Sequence, residues 1–222
     1  MSAIDASAQP WSRDEMAQRA ARDLRDGWFV NLGIGIPTLV ANHVPAGMEI
    51  IFHSENGVVG VGPAPEPGKA DPWLINAGKQ PVTLQTGGAY IHHADSFAMI
   101  RGGHLDLCVL GAYDVSMGGD IANWAISATD TAPAVGGAMD LAVGAKRVWV
   151  LMEHQSKKGG YRLVRQCAYP LTAAGAVTRI YTNLAVLEPR GDHFAVLDTA
   201  PGVTREALIA ATEAPLRFEG SS

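Results

Sequence analysis

An α/β fold, with an open, largely parallel or mixed sheet and helices on both faces, is what this sequence predicts. Short apolar runs alternate with stretches of helical spacing, and short glycine loops join them, as in strand and helix units that lay a sheet down in parallel. The chain has 222 residues, 47% of them hydrophobic and 18% charged, which is enough for one sizeable core and gives no compositional sign of disorder.

The elements follow in order. Ser12-Arg13-Asp14-Glu15 has the form of a capping box, and Met16, Ala17, Ala20, Ala21 and Leu24 recur at helical spacing, so a helix is expected to run to about Asp26-Gly27. Trp28–Leu32 is a short strand closed by Gly33, and Pro37 suits the first turn of a helix through Leu39, Val40 and His43. Glu49–His53 reads as the next strand. The proline-rich stretch from Pro63 to Pro72 is expected to be an exposed loop outside the chemistry. A strand at Pro81–Gln85, a helix at His93–Arg101 and a strand at Asp106–Leu110 come next, then a helix at Ala138–Val143 and a strand at Lys146–Met152. The last third carries strands at Val177–Tyr181, Leu184–Glu188 and Phe194–Asp198, with some antiparallel pairing expected, before a final helix at Thr204–Thr212. Residues 1–11 are expected to form a flexible segment and 12–222 one domain, because no repeat or Pro/Gly/Ser-rich linker divides the chain.

Composition narrows the function. A formal net charge of −5 without a basic stripe argues against nucleic-acid binding. Cys108 and Cys167 lack metal-ligand spacing, and Cys108 sits in an apolar run as a buried thiol would. The first eleven residues lack the blocks of a secretion signal, and no apolar stretch reaches membrane-spanning length, so a cytoplasmic protein is expected. The adjacent pair His92-His93 cannot face one point on a helix, which argues against a metal site there.

The most informative group is Ser54-Glu55-Asn56-Gly57. It follows the apolar run Ile50-Ile51-Phe52 and places a carboxylate where a buried strand breaks into a turn. An isolated buried carboxylate is too costly for a domain of ordinary stability, so Glu55 must be solvated, paired or used, and it is the leading candidate nucleophile. Open α/β sheets bind ligands at the carboxyl ends of their strands, where Asn31 to Gly35, Ser54 to Gly57 and Gly111 to Tyr113 all fall. Gly33 and Gly35 let backbone approach a phosphate or thioester, or serve packing alone. Gly136-Gly137 ahead of a helix offers amides to an anion or oxyanion, or simply a tight turn. His154, beside Glu153 at a strand end, permits acid/base work or a place in a pocket wall.

Ser54-Glu55-Asn56-Gly57 with Val58-Val59-Gly60-Val61-Gly62-Pro63 resembles the signature of the B-type chain of 3-oxoacid coenzyme A transferases. Asn31 to Pro37, Ile75 to Lys79, Ala94 to His104 and Gly136 to Leu141 resemble the same family, in its order and at its spacing, over about Ser12 to Glu188. The resemblance implies that Glu55 carries the acyl and coenzyme A groups in turn, and that Asn31, Asn56, Lys79 and Gly136-Gly137, with Gly33 and Gly35, shape the site or contact coenzyme A. It implies coenzyme A as a substrate group with no permanently bound cofactor or metal. It further implies an A (alpha) subunit as partner in a hetero-oligomer, acting on acyl-CoA and carboxylic acid substrates.

Two departures stand out. His53 occupies a position where the family more often has glutamine, and 128–135 lacks the lysine- and methionine-containing stretch common before the double glycine. Transfer of coenzyme A from succinyl-CoA to 3-oxoadipate or acetoacetate is the leading expectation, with acyl-CoA hydrolysis on the same scaffold and a non-catalytic partner chain as alternatives. The acceptor acid is left open by the sequence. Arg101, Arg162 and Arg165 are candidates for a distal carboxylate, although a solvated surface position is the commoner role for each.

Overall fold

The computed structural model describes residues 8–126 and 135–219. The expected capping box is present: Ser12 Oγ accepts from the Glu15 amide at 3.2 Å while Glu15 Oε2 accepts from the Ser12 amide at 2.8 Å. Helix α1 (Arg13–Ala21) ends one turn before Asp26-Gly27, with Asp23 and Leu24 bonding back to Ala20 and Ala21 in tight turns. Strand β1 (Phe29–Leu32) follows, then the expected helix with proline in its first turn, which is of the 3₁₀ type (Ile36–His43). Strands β2 (Ile51–Ser54), β3 (Val58–Val61) and β4 (Leu84–Tyr90) lead into α2 (His93–Arg101) and β5 (Leu107–Leu110). Two short strands, β6 (Asp114–Ser116) and β7 (Ile121–Ala122), precede α3 (Ala138–Gly144) and β8 (Val148–Leu151). The remainder is β9 (Leu163–Val164), β10 (Val177–Tyr181), β11 (Ala185–Pro189), β12 (Phe194–Thr199), α4 (Arg205–Ala210) and β13 (Leu216–Phe218).

Among the described residues, ten strands form one sheet in the order β13-β12-β11-β10-β8-β5-β1-β2-β3-β4. Its centre, β10-β8-β5-β1-β2, is parallel throughout, whereas β3 and β4 on one side and β11 and β12 on the other are antiparallel. Strand β13 then pairs with β12 in parallel. The fold is the mixed, centrally parallel α/β sheet expected.

Alternation along the central strands explains why both faces are covered. Cys108, Leu110, Val148 and Val150 point into one apolar layer beneath α2, α3 and α4, whereas Leu107, Val109, Trp149 and Leu151 point into the other beneath α1 and the 3₁₀ helix. These strands are therefore apolar at every position. Asp23 locks α1 onto the sheet, accepting from Arg179 Nη1 at 2.9 Å and from the Tyr181 hydroxyl at 2.8 Å.

The strand expected at Pro81–Gln85 is displaced to Leu84–Tyr90. Pro81 has no amide to give a ladder and makes only an isolated bridge to Ile75, while the pairing of Val58 with Tyr90 and Val59 with Ala89 fixes the register further on. A second sheet, β7-β6-β9, has strands too short to leave a periodic trace in sequence. Within the stretch 1–11, the Gln9 amide donates to the Pro201 carbonyl and the Trp11 amide to the Asn183 carbonyl, each at 2.8 Å. Among the described residues no helix is long and apolar enough to cross a membrane.

Candidate active site

Glu55 sits in the turn between β2 and β3, and the turn has one permissible shape. The Gly57 amide closes onto the Ser54 carbonyl at 3.0 Å, and Gly57 lies at φ 110°, a conformation that L side chains avoid. A Cβ there would also collide with the Ile91 carbonyl, which precedes α2. Glycine thus sets the tip of the turn, and Glu55 is left half-buried at the mouth of a cavity of about 570 Å³.

Asn31 grips it. Parallel pairing puts Asn31 of β1 beside His53 of β2 and Cys108 of β5, fully buried on the layer that α2 and α3 cover. Its Nδ2 lies 3.3 Å from Glu55 Oε2, 3.2 Å from the His53 carbonyl and 3.2 Å from His53 Nδ1, so two hydrogens serve three acceptors. Because Asn31 donates to Nδ1, His53 carries its proton on Nε2 and donates to Ser96 Oγ at 2.8 Å, an assignment made from the network. Burial pushes the His53 pKa down to about 4, which keeps the ring neutral and able to accept from Asn31. Cys108 Sγ faces Asn31 Oδ1 at 3.9 Å. A chain thus runs Ser96, His53, Asn31, Glu55. No spacing in the sequence announces it, since it joins β1, β2 and α2 only in the folded state.

The walls come from several loops, as expected at the carboxyl ends of parallel strands. Gly33 lines the cavity after β1, whereas Gly35 caps the 3₁₀ helix and does not. Gly136 and Gly137 line it ahead of α3, and a Cβ on Gly137 would lie 3.1 Å from Phe97 Cζ and at an ordinary contact distance of 3.5 Å from Glu55 Cγ, so a bare backbone is what lets this loop pack against Phe97 beside Glu55. The loop Asn76-Ala77-Gly78 forms another wall, clamped by Ser54 Oγ accepting from the Ala77 amide at 2.9 Å and Asn56 Nδ2 donating to the Ile75 carbonyl at 2.7 Å. Asn56 therefore braces the loop from outside the cavity. Lys79 stands exposed at the tip of that loop at φ 61° and is not among the lining residues. The second sheet supplies Tyr113, Asn123 and Arg162, of which Asn123 escaped notice in the sequence. Of the divergent segment 128–135, residues 128–134 lie outside those described.

The other histidines singled out from sequence are structural. His154 is buried with Nδ1 2.9 Å from Thr182 Oγ1 and Nε2 2.9 Å from Thr212 Oγ1, its pKa pushed down to about 3 by burial, and it is absent from the cavity wall. Acid/base work at Glu55 is thus not open to it. His92 caps α2 by accepting from the Ala94 amide at 3.1 Å, and His93 packs edge-on against Phe97. A second cavity, of about 500 Å³, shares Leu32, Thr38, Ser54 and Asn76 with the first and reaches Pro63 and Ala64 of the proline-rich loop.

A centrally parallel sheet with a carboxylate held at a strand end agrees with the family that sequence comparison shows. The chain belongs to the coenzyme A transferase family, whose model matches residues 13–211. Among its relatives, the B-type (beta) chain of the 3-oxoadipate CoA-transferase of Pseudomonas putida is 55% identical over 92% of this chain and 96% of its own length. The corresponding B-type chain of the succinyl-CoA:3-ketoacid coenzyme A transferase of Helicobacter pylori is 47% identical over 91% and 97%. The present chain is thus a CoA-transferase chain of the B (beta) type. In fold it is similar to the acyl-CoA transferase YdiF of Escherichia coli O157:H7, with a TM-score of 0.72 at 20% identity; the match covers 97% of this chain and 43% of that one.

Proposed function

We propose that this chain is the catalytic subunit of a transferase that moves coenzyme A from succinyl-CoA to a 3-oxoacid, 3-oxoadipate or acetoacetate, through a glutamyl-CoA thioester on Glu55. The observation that carries the reading is the Glu55 carboxylate at the cavity mouth, oriented by Asn31 and approached by the bare Gly137 backbone. The names of the two relatives support the substrates.

A Glu55 carboxylate oxygen attacks the thioester carbonyl, the C–S bond breaks, and coenzyme A leaves as thiolate from a mixed anhydride. The thiolate attacks the glutamyl carbonyl and the acid departs as carboxylate, leaving the enzyme thioester. A second carboxylate then attacks the glutamyl carbonyl and the thiolate returns to its acyl carbon, restoring Glu55. Each half-reaction exchanges groups of similar energy, so the sequence runs without ATP or a resident cofactor. The amides of Gly136 and Gly137 are the candidate oxyanion donors, and one such donor is worth roughly 10² to 10³ in rate. Asn31 aims the nucleophile, Gly33 allows close backbone approach, and Asn56 holds the Ile75 to Gly78 wall; Lys79 and Gly35 are assigned to the rim, where coenzyme A would pass. An A (alpha) subunit completes the enzyme as a hetero-oligomer, and the working compartment is the cytoplasm.

The test is borohydride trapping after incubation of the complex of this chain and its A-type partner with succinyl-CoA, followed by peptide mass spectrometry. Reduction at Glu55 is expected, and turnover should require an added carboxylic acid. Hydrolysis proceeding equally well without one would identify a hydrolase, and an unmodified Glu55 in a turning-over complex would refute the mechanism.

A further inference from the structure

We propose that Arg162 binds the distal carboxylate of a dicarboxylic acyl group in the Glu55 cavity and so selects dicarboxylic over monocarboxylic substrates. The inference rests on the transferase reading of that cavity.

Two charged side chains are found among the described residues that line the cavity, Glu55 from the turn between β2 and β3 and Arg162 from the residue before β9. Glu55 must meet the reacting carbonyl. For a substrate whose far end also carries a carboxylate, the oppositely charged group among the described lining residues is the guanidinium. Its placement is fixed from behind. Leu163 is fully buried in the core and pairs with Val115, and the Val115 amide donates to the Arg162 carbonyl at 2.8 Å, which ties the Arg162 backbone to β6.

The other arginines considered from sequence behave differently. Arg101 Nε donates to Asp140 at 2.7 Å, its guanidinium packs on Phe97, and Arg165 is exposed; neither lines the cavity. Arg162 is half-buried yet pairs with no carboxylate and stacks on no ring among the described residues. A partly desolvated cation with no ion-pair partner among the described residues is matched by an anion that arrives with the ligand, and the planar guanidinium suits a carboxylate in two-point contact.

Coenzyme A phosphates are the other anions that could reach such a group, and the two sources are separable. In the complex with its A-type partner, the rate of Glu55 thioester formation would be measured with succinyl-CoA and with acetoacetyl-CoA, for the native chain, Arg162→Gln and Arg162→Lys. The succinyl-to-acetoacetyl ratio of kcat/KM is expected to fall about 10- to 100-fold in Arg162→Gln, mainly through KM, with partial recovery in Arg162→Lys. An equal loss for both thioesters, matched by weaker binding of free coenzyme A, would place the guanidinium on the coenzyme and overturn the proposal, as would an unchanged ratio. A native complex that never labels Glu55 with either thioester would overturn the transferase reading itself.

Discussion

Replacing Asn31 with alanine separates two jobs that one side chain performs. Its Nδ2 is the described donor to Glu55, at 3.3 Å, and it also satisfies the His53 carbonyl and Nδ1 at 3.2 Å in a place with no access to water. A hydrogen bond to a charged acceptor is worth about 1.5–3 kcal/mol, and the length of this one points to the lower end, so Glu55 thioester formation should slow about tenfold. The orphaned His53 acceptors and the space left behind should lower stability by about 2–4 kcal/mol, or roughly 4–16 °C in Tm for a chain of this size. Single-turnover trapping with succinyl-CoA, run well below the lowered Tm, reads the first effect, and thermal unfolding reads the second. Trapping at the native rate in a destabilised but folded sample would show that Asn31 supports the fold and does not aim the nucleophile.

The buried histidines should make the fold acid-sensitive. With pKa values pushed down to about 4 for His53 and about 3 for His154, both stay neutral in the native chain while the unfolded chain takes up protons below about 6.5. Stability is therefore fully present above pH 6.5 and falls as pH drops towards 4, by roughly 3 kcal/mol from His53 alone at full development. Denaturant titrations at pH 7, 5.5 and 4.5 would show it, and a flat profile would contradict it. Gly57→Ala should cost about 1–3 kcal/mol from its φ of 110° alone, plus the collision with the Ile91 carbonyl, and should abolish trapping at Glu55; native-like Tm and labelling would disprove the turn argument. Gly137→Val, at φ −85°, should leave Tm nearer native but slow labelling by crowding Phe97 and Glu55, and unhindered labelling would count against the close approach of that loop.

Where local chemistry decides structure, the sequence could be read directly. The capping box at Ser12 and the helix from His93 to Arg101 are set by neighbours within a few residues, and the run through Leu107 to Leu110 is apolar at every position because both its faces are buried. Glu55 stood out because a carboxylate followed by glycine at the end of an apolar strand has few structural uses. What distant partners decide was not legible. The β4 register is chosen by β3, the β6-β7-β9 strands are too short to show a period, and the Ser96-His53-Asn31 chain joins residues 43 and 22 positions apart. Lys79 sits in a matching motif, yet it stands exposed at a positive φ and is not among the residues lining the cavity.

Cys108 gives the Asn31 contact a second meaning. On the proposed mechanism, a free thiol one side chain away from Glu55 would be a rival acceptor, able to strip the acyl group and strand it as a dead-end adduct. Complete burial, reinforced by the Glu55 charge, drives its pKa well above the ordinary thiol value, so the reactive thiolate is suppressed. Burial and the neighbouring charge therefore quarantine the sulfur, and on the proposed mechanism acyl traffic is left to the carboxylate.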